Sequence, residues 1–312
     1  NKTLTCSYKN QRIRKIKLII DNDAGGDDAV AIFLNFIGLQ TKNLHGNTKE
    51  SNVATNNQRI LKVAKRQDIP IYRGTKDSLL KDFEGGNYYG FDGLGDSGEE
   101  LSNLAPVQEK NAVSALLDLT KSYPGEITVI TLGPLTNIAL AIRLDPDFIG
   151  RLAHLYIGAG HIHGDSNSSP EFNARMDVEA YHIVLENANP DKITVLPFSQ
   201  VQKDLNFSKS WRQETLGAID NDVVKAMNKY EQISIKKNER WQDLDPAVVA
   251  IAIKPDLVNA YSYSWNKIIL NGKRGISTNA FIEKEKANVR VALNLNKKEY
   301  REFLLNIFSA DK

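Results

Sequence analysis

A single cysteine, Cys6, stands in 312 residues, so no disulfide can form within the chain and its stability must come from a packed core. Cys6 also lies in a polar N-terminal stretch, residues 1–14, read as a flexible segment ahead of one domain over 15–312. No apolar run approaches the length that spans a bilayer, which excludes a transmembrane helix. There is little charge of one sign: the net charge of +2 is spread over mixed Lys, Arg, Asp and Glu, which gives no basic footprint for nucleic acid. Pairs such as Lys236-Lys237 and Lys297-Lys298 read as solvated faces. Repeats, low-complexity tracts and linkers are also lacking, and at 41% hydrophobic the chain can bury one full core. The first residue is Asn1, so secretion after signal cleavage is the expectation and a cytoplasmic location the alternative; the sequons at Asn1, Asn167 and Asn206 are near the chance count for a chain rich in Asn, Ser and Thr.

What the chain does have is acid in one place. Asp21-Asn22-Asp23-Ala24-Gly25-Gly26-Asp27-Asp28 puts four carboxylates and two glycines in eight residues. The apolar run Ile16 to Ile20 precedes it, and a helical pattern from Ala29 to Phe36 follows. Carboxylates so close repel, and a divalent cation with a preference for oxygen ligands removes the conflict. An EF-hand loop also opens Asp-x-Asp and has glycine at its sixth position, here Gly26, but its twelfth residue must be a bidentate Glu. That position is Ile32, inside an apolar helix. A haloacid dehalogenase-type phosphatase shares the strand followed by Asp-x-Asp, yet has Thr or Val where this chain has Gly25. A helix cap needs one or two acids, not four. The cluster therefore reads as a metal site.

Strand-like and helical patterns alternate along the chain. Strands are expected at 15–20, 69–72, 127–130, 152–157 and 193–196, with helices at 53–65, 112–119, 136–142, 179–186, 248–253 and 297–308. From Trp211 to Asn238 the sequence turns helical and polar, and Tyr261, Tyr263 and Trp265 alternate as on a half-exposed strand. Such alternation predicts an α/β fold: a single-domain, mostly parallel, Rossmann-like sheet with helices on both faces. Ligands of such sheets bind at the carboxyl ends of the strands, where the acids sit.

Four segments in order then resemble a known family. The first is the Asp-x-Asp-x-Gly-x-Asp-Asp cluster, and the second is Leu132-Gly133-Pro134-Leu135-Thr136-Asn137. The third runs from Gly164 through Glu171-Phe172-Asn173 to Asp177 and Glu179, and the fourth is Leu244-Asp245-Pro246-Ala247. Together they are similar to the motifs of the inosine-uridine-preferring nucleoside hydrolases. The resemblance implies Ca²⁺-dependent hydrolysis of a ribonucleoside to ribose and free base, with purine nucleosides such as inosine favoured. It implies Asp23, Asp28, Asp245 and the Leu132 carbonyl as metal ligands, and Asp23 as the base that activates water. Asp27, Asn47, Asp165, Glu171 and Asn173 are then expected at the ribose, and Tyr89 and Trp241 as candidates to stack on the base, with Tyr230 a further aromatic. A homodimer or homotetramer is implied, with a small-molecule nucleoside as partner and neither nucleic acid nor membrane.

Bland roles compete for several of these residues. Asp245 can simply cap a helix before Pro246, Asn137 is expected to hold its turn, and Glu179 to be a first-turn acid. His161 and His163 have no cysteine or third histidine nearby and are expected at the pocket mouth rather than on zinc. The sequence also departs from the family. Ala24 replaces a proline, Asp165 an asparagine, and Leu244 the histidine that protonates the leaving base. Between Leu34 and His45 no strand-like run is found, so the family's second strand is expected to be missing or displaced.

Overall fold

The computed structural model describes residues 17–34, 39–42, 50–80, 86–98, 102–162 and 169–310. Its frame is a nine-stranded sheet. In chain order the strands are β1 (Lys17–Asn22), β2 (Leu39–Lys42), β3 (Ile71–Tyr72), β4 (Ile127–Thr131), β5 (His154–Gly158) and β6 (Ile193–Leu196). Two short strands, β7 (Phe207–Ser208) and β8 (Arg240–Trp241), pair separately, and β9 (Val258–Ile268), β10 (Ser277–Phe281) and β11 (Val289–Leu295) complete the sheet. Its order is β10-β9-β11-β6-β5-β4-β1-β2-β3. From β11 to β3 every pairing is parallel, and only β9 runs antiparallel to both of its neighbours.

The helices are α1 (Gly26–Leu34), α2 (Glu50–Val63), α3 (Ala112–Ser122), α4 (Thr136–Leu144), α5 (Phe148–Arg151) and α6 (Phe172–Met176). They continue with α7 (Val178–Glu186), α8 (Phe198–Asp204), α9 (Asp222–Tyr230), α10 (Leu244–Ile253) and α11 (Lys297–Ser309). The period-two alternation of strands sorts them into layers. Leu18 and Ile20 of β1 point into a core shared with α1, α2, α8, α9, α10 and α11. Ile19 points to the other face, against α3, α4, α5 and α7. α10 is apolar on all sides and buried from Leu244 to Ala252, as a helix sandwiched between sheet and outer helices must be.

One expectation changes. The stretch expected to lack a strand contains β2, which pairs with β1 from Ile19↔Leu39 to Asn22↔Lys42 and with β3 on its other side. A four-residue segment with hydrogen-bond ladders on both edges is held as strand by its neighbours, whatever its own propensity. The helical, polar character expected after Trp211 is divided among separate elements. A π-helical turn over Trp211–Leu216 precedes α9, and a 3₁₀ turn follows at Ser234–Lys236.

The chain leaves β1 towards β2 and β3 on one side, then crosses back to place β4, β5 and β6 on the other. This reversal between β1 and β4 opens a crevice at their carboxyl ends, the place where open α/β sheets bind ligands. Asp23 follows β1 there and Leu132 follows β4.

Candidate active site

The turn after β1 is locked from several directions. Leu132 N–H donates to the Asp21 carbonyl at 2.7 Å, and Asn137 Nδ2 donates to Asp21 Oδ1 at 3.1 Å. Asn137 Oδ1 accepts from Thr75 N–H at 3.1 Å, which is the turn-holding role expected of it. Ala24 takes a left-handed conformation, φ 52°, with its carbonyl held by Asn56 Nδ2 at 3.1 Å. Proline cannot reach that φ, so the turn here is one that the family's proline would not permit. Gly26 opens α1 beneath Tyr89, where an added Cβ would lie 2.7 Å from the ring.

The first turn of α1 carries Asp27 and Asp28, and the first turn of α10 carries Asp245. Because α1 and α10 pack side by side, carboxylate oxygens of Asp27, Asp28 and Asp245 come within 4.8 Å of one another. Gly25 N–H donates to Asp28 Oδ2 at 2.7 Å, while Asp28 Oδ1 is buried with no hydrogen-bond partner. Burial, and then the charge of Asp23, push the Asp28 carboxyl well above the usual carboxylate range. Asp245 is raised by burial and by the charges of Asp27, Asp28 and Asp23. Asp27 is pushed up to about 7 by burial and by Asp23, against the opposing pull of a Tyr89 hydrogen bond. A hard divalent cation fits this donor set: it brings the missing charge and gives Asp28 Oδ1 a partner. Asp27, expected at the ribose, thus lies within the acid cluster itself. Asp23 is 1% exposed and packs against Gly133, where a Cβ would come within 3.3 Å of its own Cβ.

Above the acids opens a cavity of about 610 Å³. Asp27, Asp245, Leu132, Glu171 and Asn173 line it. Glu171 caps α6 and accepts from the backbone N–H groups of Gly160 (2.9 Å), Asn173 (3.0 Å) and Ala174 (3.1 Å). Burial raises its carboxyl, and those three bonds pull the other way. Asn173 Nδ2 donates to the Leu132 carbonyl at 3.0 Å and the Gly158 carbonyl at 2.9 Å. Both amide hydrogens are thereby committed, which leaves its Oδ1 for a ligand, and one lone pair remains on the Leu132 oxygen. Asp177 is structural: it caps α7 and accepts from Thr136 Oγ1 and Leu79 N–H. Glu179 pairs with Arg274. Asn47, Asp165 and His163 lie outside the described residues.

The lining of the cavity, its wall, also includes Tyr88, Tyr89, His161, Asn238, Asp243 and Leu244. Tyr88 and Tyr89 meet edge to face, with centroids 4.8 Å apart at 86°. Trp241 does not belong to this wall. It is 3% exposed, packs near Phe207 and Trp211, and donates its indole N–H to Glu231 at 2.7 Å. Tyr230 is likewise fully buried in the core. Their aromatic character serves packing, and of the three aromatic candidates only Tyr89 lines the cavity. The sequence reading missed Asp243, Glu231 and Arg212. Only the closeness of Asp243 to Asp245 in the chain could have drawn attention to it.

A family model described as inosine-uridine preferring nucleoside hydrolase matches residues 18–302. The chain belongs to that family. It is 39% identical over 180 residues to a probable uridine nucleosidase 2 of Arabidopsis thaliana, covering 54% of this chain and 55% of that protein. Among solved structures, a plant nucleoside hydrolase superposes with a TM-score of 0.85 at 26% identity, covering 95% of this chain and 100% of the other. An inosine-guanosine nucleoside hydrolase does so with a TM-score of 0.84 at 25% identity, covering 95% and 99%. The matches span 55 to 62% of the length of the first curated relatives. As a nucleoside hydrolase family member the chain keeps the acidic turn, the Leu132 turn and the Asp245 helix start in one crevice, while Leu244 gives the pocket an apolar wall where the resembling motif carries histidine. No helix among the described residues is long and apolar enough to cross a membrane.

Proposed function

We propose that the protein hydrolyses the N-glycosidic bond of ribonucleosides with the aid of Ca²⁺, favouring purine nucleosides such as inosine. The observation that carries this reading is the meeting of Asp27, Asp28 and Asp245, with an unpartnered Asp28 oxygen, at the floor of a cavity large enough for a nucleoside. Asp23, Asp28, Asp245 and the Leu132 carbonyl would hold the ion. When bound, Ca²⁺ supplies positive charge that offsets the clustered carboxylates and acidifies nearby water.

The residues of the chain do the rest. Asp23 takes the proton from the attacking water as the sugar passes through an oxocarbenium-like state. Asp27, steadied by Tyr89, accepts from a ribose hydroxyl, as do Glu171 and the Asn173 oxygen. Leu244 gives up no proton, so the base leaves without help from that position. The purine preference is supported by Tyr88, which lines the cavity, is 39% exposed and offers aromatic surface to a larger base. Release of free base from inosine, guanosine, adenosine and uridine, with Ca²⁺ and with chelator, tests the proposal. Chelator-sensitive release is expected, and Asp23→Asn should lower it by about 100-fold or more. An unchanged rate in Asp23→Asn would refute the mechanism. Absence of release from every nucleoside, in a protein that still binds Ca²⁺, would leave a nucleoside binder.

A further inference from the structure

Glu171, set against a ribose hydroxyl in the reaction above, is held from a part of the chain that the reaction does not use. Its carboxylate accepts three backbone N–H groups, those of Gly160 and Ala174 on Oε2 and that of Asn173 on Oε1. A carboxylate has about four acceptor sites, so these bonds leave one, on Oε1, for a ligand in the cavity. Where that site points depends on all three donors. Asn173 and Ala174 belong to α6, which Glu171 itself caps. Gly160 comes from the turn after β5, so the carboxylate keeps its aim only while that turn keeps its place against α6.

The hairpin of β9 and β10 fixes that place. Ser277, 2% exposed and 116 residues from His161 in the chain, accepts from the His161 N–H at 3.0 Å and donates to the His161 carbonyl at 3.0 Å. The Asn279 amide donates to the same carbonyl at 3.3 Å. Its oxygen is held in turn by Asn266 Nδ2 at 2.8 Å and Ser264 Oγ at 3.2 Å, from the paired strand β9. Ser277 also packs so closely that a Cβ added to Gly160 would lie 2.8 Å from its hydroxyl. The same hairpin reaches the other side of Glu171. A Cβ added to Gly275 would lie 3.2 Å from the Cβ of Pro170 and 3.3 Å from the Cα of Arg175 in α6, and Arg274 pairs with Glu179 in α7. One hairpin therefore touches both the turn that supplies the Gly160 N–H and the segment that supplies the carboxylate.

We propose that Ser277 is a positioning residue for the ribose-binding carboxylate: by gripping the His161 backbone it sets the Gly160 N–H, and with it the direction in which Glu171 meets a ribose hydroxyl. This rests on the nucleoside hydrolase reading.

The test is a double-mutant cycle read as kcat/KM for inosine. Ser277→Ala should lower it by about 10-fold. Glu171→Gln replaces the ligand-facing oxygen by an amide nitrogen, because the oxygen that remains is needed by Gly160 and Ala174. In that background Ser277→Ala should cost less than about 2-fold, since the group it aims is gone. The same pattern is expected with 2′-, 3′- and 5′-deoxyinosine: the Ser277→Ala loss should shrink for the analogue that lacks the hydroxyl bound by Glu171. A general loosening of the fold would tax every substrate and both backgrounds alike. Asn279→Ala removes a more exposed part of the same grip and should show the same pattern with a smaller loss, which carries the test if Ser277→Ala does not fold. Equal losses in both backgrounds and on all four substrates would overturn the assignment while leaving the hydrolase intact. Wild-type protein that releases base from none of inosine, guanosine, adenosine and uridine would overturn the hydrolase reading and this assignment with it.

Discussion

Thermal unfolding measured with Ca²⁺ and with chelator, across pH, should expose the acid cluster directly. Without a cation, Asp27 titrates at about 7 in the folded chain against an ordinary value of 3.8. A carboxyl raised in this way contributes stability that is complete below the ordinary value and is lost as pH rises through 7. For Asp27 the difference amounts to about 4 kcal/mol. The raw curve will not show it cleanly. His154 is pushed down to about 4 by burial and by the charges of Arg290 and Lys192, and a histidine so lowered adds stability as pH rises from 4 to its ordinary 6.5. The informative quantity is therefore the difference between Ca²⁺ and chelator, in which His154 cancels. A cation held by the neighbouring acids favours ionised Asp27, so below pH 7 its binding releases the Asp27 proton and weakens by about 1.4 kcal/mol per pH unit for each proton released. From pH 5 to pH 7 the stabilisation by Ca²⁺ should grow by about 2.7 kcal/mol, or roughly 5 °C in Tm for a chain of this size. Calorimetry at fixed Ca²⁺ concentration reads both numbers. A Ca²⁺-induced rise in Tm that is the same at pH 5 and pH 8, or no rise at either, would refute the assignment of the cluster as a cation site.

Two further outcomes follow from particular contacts. Ala24 holds a left-handed backbone that costs a non-glycine residue about 1–2 kcal/mol, so Ala24→Gly should stabilise the protein by about 0.5–1 kcal/mol after the entropy of the unfolded glycine is counted. Ala24→Pro should destabilise it strongly, and a denaturant titration in which proline is the better tolerated of the two would contradict the described turn. Arg212→Met strands Glu231 as an unpaired buried charge and should cost about 3–5 kcal/mol, measured as a lower denaturation midpoint at constant slope. The double variant Arg212→Met/Glu231→Leu should recover much of that loss; equal losses in both would show that the pairing is not the source of the loss.

The parts of the molecule that were legible in the sequence are those whose signal is local. The run from Lys17 through Asp28 reads as strand, acidic turn and helix because each residue's neighbours in sequence are also its neighbours in space. Asp245-Pro246 reads as a helix start for the same reason, and its approach to Asp28 came from the resemblance of whole motifs. What was not legible depends on contacts between distant segments. β2 is strand because β1 and β3 hydrogen-bond it on both edges. Trp241 looked available for stacking because a lone tryptophan in a polar stretch carries no sign of which way it faces; Glu231 and the Phe207 ring decide that. Asn173 matched a ribose contact by motif, and its spent amide hydrogens became visible only once the Leu132 and Gly158 carbonyls were beside it.

The two helix starts that supply the acids are far apart in the chain, Asp27 and Asp28 near the beginning and Asp245 well past the middle. An ion held between them is a cross-link closing most of the polypeptide into a single loop. In a protein whose one cysteine rules out an internal disulfide, calcium would do the work of a staple, and its removal would restore to the unfolded chain the freedom that such a closure takes away. On that view, an ion bound there would raise the resistance of the chain to unfolding and to proteolysis as well as serve the proposed chemistry.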